Sequence, residues 1–372
     1  MKIGIDTHAA EREGTGNCTY IRNLVSALSQ VDKQNEYVLY GINIQHTFYR
    51  QFHDRENFRI RKLAVENALV RNPFLLTRAT LKDALDILHV QYIRPPFHSG
   101  KLVVTIHDLG FLHYPDFFSK FEVLRSRLLI RSTAKRSGAI ITGSHFSKQD
   151  IVDSYGIHPG KIQVISLGVS PCFSPASDPL ETRKILRKYG IQKPYLLFVG
   201  RLNPRKNIIS IVKTFSLMKR EHHLPHRLIL VGKKDFKTRR TLLSVDKIEH
   251  KEDLLFTGFV HDRDLPFLYR EADVFLYPSL YEGVGLPVLE AMRSGVPVVS
   301  SNTSGLKEIA GDAGVLVDPL DLSEISQAVL RIISDPDFRS TCRTRGISLT
   351  EKLTWLATAQ QTLKVYQRVH LS

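Results

Sequence analysis

The chain has 372 residues, 42% hydrophobic and 24% charged, with a formal charge of +15; this is the make-up of an ordinary globular protein long enough for two domains. The positive excess is spread over both halves, which leaves nucleic acid, an anionic bilayer and a negatively charged substrate open as partners. Three distant cysteines (Cys18, Cys172, Cys342) argue against a disulfide framework or a zinc site, no apolar run reaches a membrane span, and Asp6 and Glu11 argue against a signal peptide. A cytoplasmic chain is expected.

Taken in order, Lys2–Asp6 reads as an opening strand, followed by a loop with Gly14 and Gly16. Ile21, Leu24, Val25 and Leu28 then fall on one helical face. Tyr37–Tyr40, Phe58–Leu63, Ile87–Val90 and Val103–Ile106 read as strands. A helix over Phe118–Lys135 precedes further strands at Ala139–Thr142 and Val164–Ile165. The turn-rich segment 173–179 is the expected linker. After it the alternation restarts: strand Tyr195–Val199, helix Asn207–Lys219, strands Arg227–Val231, Leu254–Thr257, Val274–Tyr277 and Val296–Val299, and a short strand near Leu316. Helices at Leu322–Ile333 and Leu353–Val369 close the chain. Strands alternating with helices predict an α/β fold with two successive doubly wound domains and a ligand cleft between them.

The stretch from Asp273 to Val299 carries the clearest chemistry. A buried strand runs into Tyr281-Glu282-Gly283-Val284-Gly285, and Pro287 then suits a helix start. Free N–H groups at that start, beside a loop with little side-chain bulk, make an anion site suited to phosphate. Glu282 and Glu290 flank it. Carboxylates accept hydrogen bonds from hydroxyls, so the pair suits a sugar nucleotide: Glu290 on the ribose diol, Glu282 on the sugar. A plain βαβ unit with surface glutamates is the competing account. Arg201 and Lys206 follow the strand Tyr195–Val199 and can neutralise a diphosphate. Thr105-Ile106-His107-Asp108 places a histidine at a strand end in the first half, where it can bond a substrate hydroxyl or act as a base. Gly14 and Gly16 allow close backbone approach to a phosphate.

Other patterns are weaker. Asp262-Arg263-Asp264 precedes an apolar-periodic run and is explained by helix capping and dipole compensation rather than by a metal. No HExxH, GxSxG or GxxxxGK[ST] spacing occurs, and a glycosidase pair would have no use for a phosphate loop. Lys120–Arg136 interleaves six basic residues with Phe121, Leu124, Leu128 and Leu129 and has one acidic residue, Glu122. That suits an anionic membrane surface, or the solvated side of a core helix. Aromatic ladders of nucleic-acid binders are not evident, so no nucleic-acid partner is expected.

With these residues in place, the chain resembles the retaining glycosyltransferases of family 4, of the GT-B type. The resemblance rests on E-G-V-G-L-P-V-L-E-A-M (Glu282 to Met292), an E-x7-E signature, and on V-G-R-L…R-K-N (Val199 to Asn207), T-I-H-D-L (Thr105 to Leu109) and the Gly14/Gly16 loop. S-N-T-S-G-L-K-E-I-A-G-D-A-G (Ser301 to Gly314) is most similar to the bacterial mannosyltransferase-like branch. Val284 stands where the family often has Phe.

The resemblance implies two facing Rossmann-like domains: an acceptor-side domain over 1–175, completed by a C-terminal helix (353–372) that crosses back to it, and a nucleotide-sugar domain over 176–352. It implies Arg201 and Lys206 on the diphosphate, Glu290 on ribose, Glu282 with the backbone of Gly283, Val284, Gly285 and Leu286 on the sugar, and His107 contacting the sugar from the first domain. It implies no metal and no cofactor, with GDP-mannose the favoured donor and a saccharide or lipid-linked glycan the acceptor. A UDP-sugar transferase, a sugar-nucleotide epimerase and a non-catalytic nucleotide-sugar-binding subunit are the alternatives.

Overall fold

The structure is a computed structural model that describes residues 1–67, 70–176, 178–233 and 249–372. It divides into two compact units: Met1–Gly168 with Thr354–Ser372, and Val169–Leu353. The expected linker at 173–179 therefore falls inside the second unit (Ser177 lies outside the described residues). Its turn residues lead into a helix that the sequence reading left out. Asp178 accepts from the backbone N–H groups of Leu180 and Glu181, and Pro179 opens helix Pro179–Lys188.

The first unit holds a parallel sheet of seven strands: β1 (Lys2–Asp6), β2 (Glu36–Gly41), β3 (Phe58–Lys62), β4 (Ile87–Gln91), β5 (Lys101–Thr105), β6 (Ala139–Thr142) and β7 (Ile162–Val164). Their order is β3-β2-β1-β4-β5-β6-β7. Strands β4 and β6 are buried along their whole length rather than at alternate positions, as expected of a sheet covered on both faces. Helix Gly16–Val31 packs on the C-terminal helix Trp355–Leu371. Trp355, Ala359, Val365, Tyr366 and Val369 of that last helix are buried. The return of the chain to this unit is tight: a Cβ on Gly168 would lie 2.2 Å from the Trp355 nitrogen.

Among the described residues the second unit holds six parallel strands: β8 (Tyr195–Val199), β9 (Arg227–Val231), β10 (Leu254–Gly258), β11 (Val274–Tyr277), β12 (Val298–Ser301) and β13 (Val315–Val317). Their order is β10-β9-β8-β11-β12-β13. In each sheet the winding reverses between its first and fourth strand. Crossovers leave in opposite directions there, and the strand-end loops part to make room for a ligand. Strand β12 starts two residues later than expected. Gly295 closes the preceding helix at φ 75, and the ladder with β11 begins only at the bond from the Phe275 N–H to the Pro297 carbonyl at 2.9 Å.

Candidate functional site

At the switch point of the second unit, β8 and β11 are neighbours, so the Arg201–Asn207 loop and the Glu282 loop lie side by side. Gly200 adopts φ 154 and Gly232 φ 142; a Cβ on Gly232 would sit 1.9 Å from the Gly200 carbonyl oxygen. Backbone thus meets backbone where the strands end. Asn203 accepts from the Lys206 N–H at 3.2 Å and starts the turn Pro204–Lys206. Asn207, at φ 57, donates its side-chain amide to the carbonyls of Pro278 (3.0 Å) and Pro319 (2.6 Å). The Leu280 N–H donates to the Arg205 carbonyl at 2.9 Å. These bonds fasten the two loops together.

The glutamate loop is also held from beyond β12. Ser304 Oγ accepts the Glu282 N–H at 3.1 Å, and the Gly305 N–H donates to the Glu282 carbonyl at 2.9 Å. A Cβ on Gly305 would come within 2.1 Å of the Gly283 oxygen. Gly285, at φ 80, caps helix Leu286–Arg293, and a side chain there would strike Leu306. Gly283, Val284, Gly285 and Leu286 are buried. The loop is thus rigid, with its conformation dictated at positions that only glycine fills cheaply.

Between the loops sits a partly buried charge cluster. The Lys206 ammonium contacts Glu282 Oε1 and the Tyr277 hydroxyl, and lies 4.8 Å from the Tyr277 ring centroid. Arg205 reaches Glu282 Oε2 at 3.3 Å and also donates to the Tyr281 carbonyl. Lys206 and Glu282, given separate tasks in the sequence reading, are here partners of one another. The three charged side chains named here are two cations and one carboxylate. Arg201 is exposed, whereas Arg205, to which the sequence reading gave no role, is half-buried and pairs with Glu282.

Glu290 lies on helix Leu286–Arg293, half-buried, and accepts from the Tyr269 hydroxyl at 3.0 Å. Burial pushes its carboxyl up to about 7, opposed by the Tyr269 hydrogen bond and helped by the nearby charge of Asp262. The Asp262–Asp264 element needs one correction. Asp264 precedes helix Leu265–Arg270 but makes no capping bond. Its backbone is already helical rather than extended, so its carboxylate turns away to Lys188 (2.6 Å) and Tyr189 (2.7 Å).

In the first unit, His107 stands just past β5, its Nε2 2.9 Å from Gln91 Oε1 at the end of β4. Gly14 adopts φ 79. Gly16 is no loop residue; it is the first residue of helix Gly16–Val31, whose N-terminus Thr15 caps by accepting from the Cys18 N–H. A Cβ on Gly16 would meet nothing within 4 Å. The sequence reading missed Gln91, Tyr269, Tyr277, Arg205, Ser304 and Gly305. Of these, Arg205 lies inside the R-K-N motif and Ser304 and Gly305 inside the Ser301–Gly314 motif, whereas Gln91, Tyr269 and Tyr277 belong to no quoted motif.

The fold and these strand-end loops agree with what the chain is similar to. A family described as "Glycosyl transferases group 1" matches residues 181–348, and one described as "Glycosyltransferase Family 4" matches residues 16–172. The O-antigen chain mannosyltransferase B of Escherichia coli is 32% identical over 289 residues, 77% of this chain and 76% of that one. The serotype-specific mannosyltransferase WbdA of Escherichia coli is 28% identical over 238 residues; the match takes 63% of this chain and 29% of that longer protein. Among solved structures, the sucrose-phosphate synthase of Thermosynechococcus elongatus superposes with a TM-score of 0.79 at 21% identity, covering 99% of both chains. The chain belongs to the family 4 glycosyltransferases of the GT-B type, as a hexosyltransferase of the mannosyltransferase-like group.

Proposed function

We propose that this glycosyltransferase moves a mannosyl group from GDP-mannose, with retention of configuration and without a metal, to a saccharide or lipid-linked glycan. The observation that carries the donor site is the cluster of Lys206 and Arg205 around Glu282, at the switch point and beside the N-terminus of helix Leu286–Arg293. The name of the Escherichia coli relative supports mannose. In the reaction, the bond from sugar C1 to the diphosphate oxygen breaks and the electron pair leaves with the phosphate. Arg201, Arg205, Lys206 and the helix N-terminus oppose that growing negative charge. The acceptor oxygen bonds to C1 on the same face, and its proton passes to the departing phosphate oxygen. Glu282 holds sugar hydroxyls, Glu290 the ribose diol, and His107 is a substrate-contacting residue.

Thermal-shift measurements test the donor. A ligand of the native state raises the melting temperature by mass action. GDP and GDP-mannose are expected to raise it more than UDP and UDP-glucose, and Lys206→Ala to abolish the shift. A larger response to UDP overturns the guanine and mannose assignment. Transfer unaffected by EDTA is the expected outcome for a reaction balanced by protein cations.

The acceptor side has its own observation. Helix Lys120–Arg136 buries Ile130, Thr133 and Ala134, and turns Phe121, Leu124, Leu128 and Leu129 outward, between 41% and 63% exposed. Positions 121, 124 and 128 share one helical face, and Arg125, Arg131, Lys135 and Arg136 lie beside it. The one carboxylate, Glu122, closes the capping box with Ser119. Apolar anchors ringed by cations suit an anionic lipid surface, where a lipid-linked acceptor would reside. Flotation with vesicles tests this: binding to phosphatidylglycerol vesicles, little binding to phosphatidylcholine, and loss in Leu124→Glu/Leu128→Glu. Equal flotation of that variant overturns it.

A further inference from the structure

His107 is held with unusual completeness for a strand-end residue. Gln91 and Thr105 are partners in the β4–β5 register, so the Gln91 side chain stands beside the point where the chain leaves β5. The Ile106 N–H donates to the Ile141 carbonyl at 2.9 Å, and Ser147 Oγ donates to the His107 carbonyl at 3.0 Å. The main chain is therefore pinned on both sides of the ring. The ring itself meets Tyr20 edge-on at 4.7 Å between centroids and Tyr92 at 5.7 Å. Behind it runs a buried chain of hydrogen bonds: Tyr20 hydroxyl to Thr105 Oγ1 (2.9 Å), Thr105 Oγ1 to His89 Nε2 (2.7 Å), and His89 Nδ1 to the Tyr366 hydroxyl (2.6 Å). Only Nε2 of the His107 ring is hydrogen-bonded to a described residue, and that residue is Gln91.

We propose that Gln91 is a positioning residue that fixes His107 as a neutral imidazole, with its proton on Nε2 donated to Gln91 Oε1, so that Nδ1 offers a lone pair to a substrate hydroxyl. The claim rests on the reading of His107 as a substrate-contacting residue; its tautomer and charge can be measured apart from that reading. The physical case is one of charge. A carboxylate in place of the amide would hold an imidazolium, whereas an amide oxygen accepts the N–H without adding charge. The ionisable groups around the ring do not reverse this. Asp108, on the same loop, favours the charged ring, and its Oδ1 also accepts the Gly110 N–H at 2.9 Å. Tyr20, on helix Gly16–Val31, is held neutral by burial, and His89, on β4, is pushed down to about 3. Burial outweighs Asp108 and pushes His107 down to about 4. The other end of the Gln91 amide, Nε2, is buried and has no hydrogen-bond partner among the described residues, and among these His107 is the one side chain bonded to the amide. A hydrogen-bond acceptor that keeps its charge state across neutral pH follows, and a proton donor at that position does not.

The experiment is nitrogen-15 NMR of the histidine-labelled full-length protein with a parallel pH–rate profile. At pH 7 the His107 ring is expected as the Nε2–H tautomer, with a midpoint well below that of a free histidine. In Gln91→Glu the midpoint should rise by more than one pH unit, and transfer should fall on the acid side of it, because a protonated Nδ1 no longer accepts. In Gln91→Leu the two tautomers should mix and the rate should drop roughly tenfold, the worth of one hydrogen bond. An Nδ1–H tautomer, or a His107 midpoint unmoved in Gln91→Glu, overturns the proposal. If the midpoint moves but the rate profile does not, the tautomer assignment stands and it is the role of His107 in substrate contact that fails.

Discussion

Glu290 holds its proton to a pH at which exposed carboxylates have long lost theirs, and this has two separable consequences. Its carboxyl is raised from 4.5 to about 7 in the folded chain. Between those values the native state binds a proton that the unfolded state has released, so the group's contribution to stability is full below pH 4.5 and is lost as pH rises through 7. Glu290→Gln removes that loss. The variant is expected to melt higher than the parent at pH 8 and at about the same temperature at pH 4. Donor binding should run the other way, because the ionised carboxylate is the better acceptor for ribose hydroxyls. Calorimetric titration with GDP should show affinity rising from pH 6 to pH 8 in the parent and a flat, weaker response in Glu290→Gln. A parent affinity that does not change with pH would remove Glu290 from the nucleotide site. Tyr269→Phe deletes the hydrogen bond that favours the charged form, so it should move the parent's affinity transition to higher pH.

The glutamate loop shows how an element depends on residues distant in sequence. Gly305→Ala would place a methyl group 2.1 Å from the Gly283 oxygen, a backbone atom that cannot swing aside. The loop must move. The expected result is destabilisation of roughly 1–3 kcal/mol together with loss of the donor-induced melting shift, whereas Gly156→Ala, where a Cβ meets nothing within 4 Å, should keep that shift. The strand, glycine loop and helix of this region were legible because each has a local cause: an apolar run, glycines, and a proline suited to a helix start. The Ser304–Gly305 clamp was not, since it is formed by contact across a strand and leaves no periodic trace. Helix Pro336–Glu351 was missed for a different reason. It buries Cys342, Gly346 and Thr350, so no apolar stripe marks it. Arg201 and Arg205 flank one turn, and sequence alone could not say which points inward.

At the scale of the whole chain, the last helix belongs with the first unit, and its removal gives a test with a spatial signature. Trp355–Leu371 packs on helix Gly16–Val31 and on β4, β5 and β6, and buries Trp355, Ala359, Val365, Tyr366 and Val369. It also completes the buried polar chain at His89 through Tyr366, and Thr358 donates to the Ser166 carbonyl at 2.8 Å. Deleting Thr354–Ser372 would leave His89 Nδ1 unpaired beneath an uncovered apolar face, two costs that the remaining residues cannot offset. Hydrogen exchange followed by mass spectrometry should then show β1, β4 and β5 losing protection by several orders of magnitude, while β8 and β11 of the second unit retain theirs. Tyr366→Phe isolates the polar part of this effect: it keeps the packing, removes one hydrogen bond, and should cost about 1 kcal/mol, seen as faster exchange around β4 and β5. If the truncated chain kept its protection at β1 and β4, the C-terminal helix would be a surface appendage and the first sheet would be stable on its own seven strands. The graded response expected of the two variants, global loss within one unit against a local increase near His89, is what a helix that finishes a core should give.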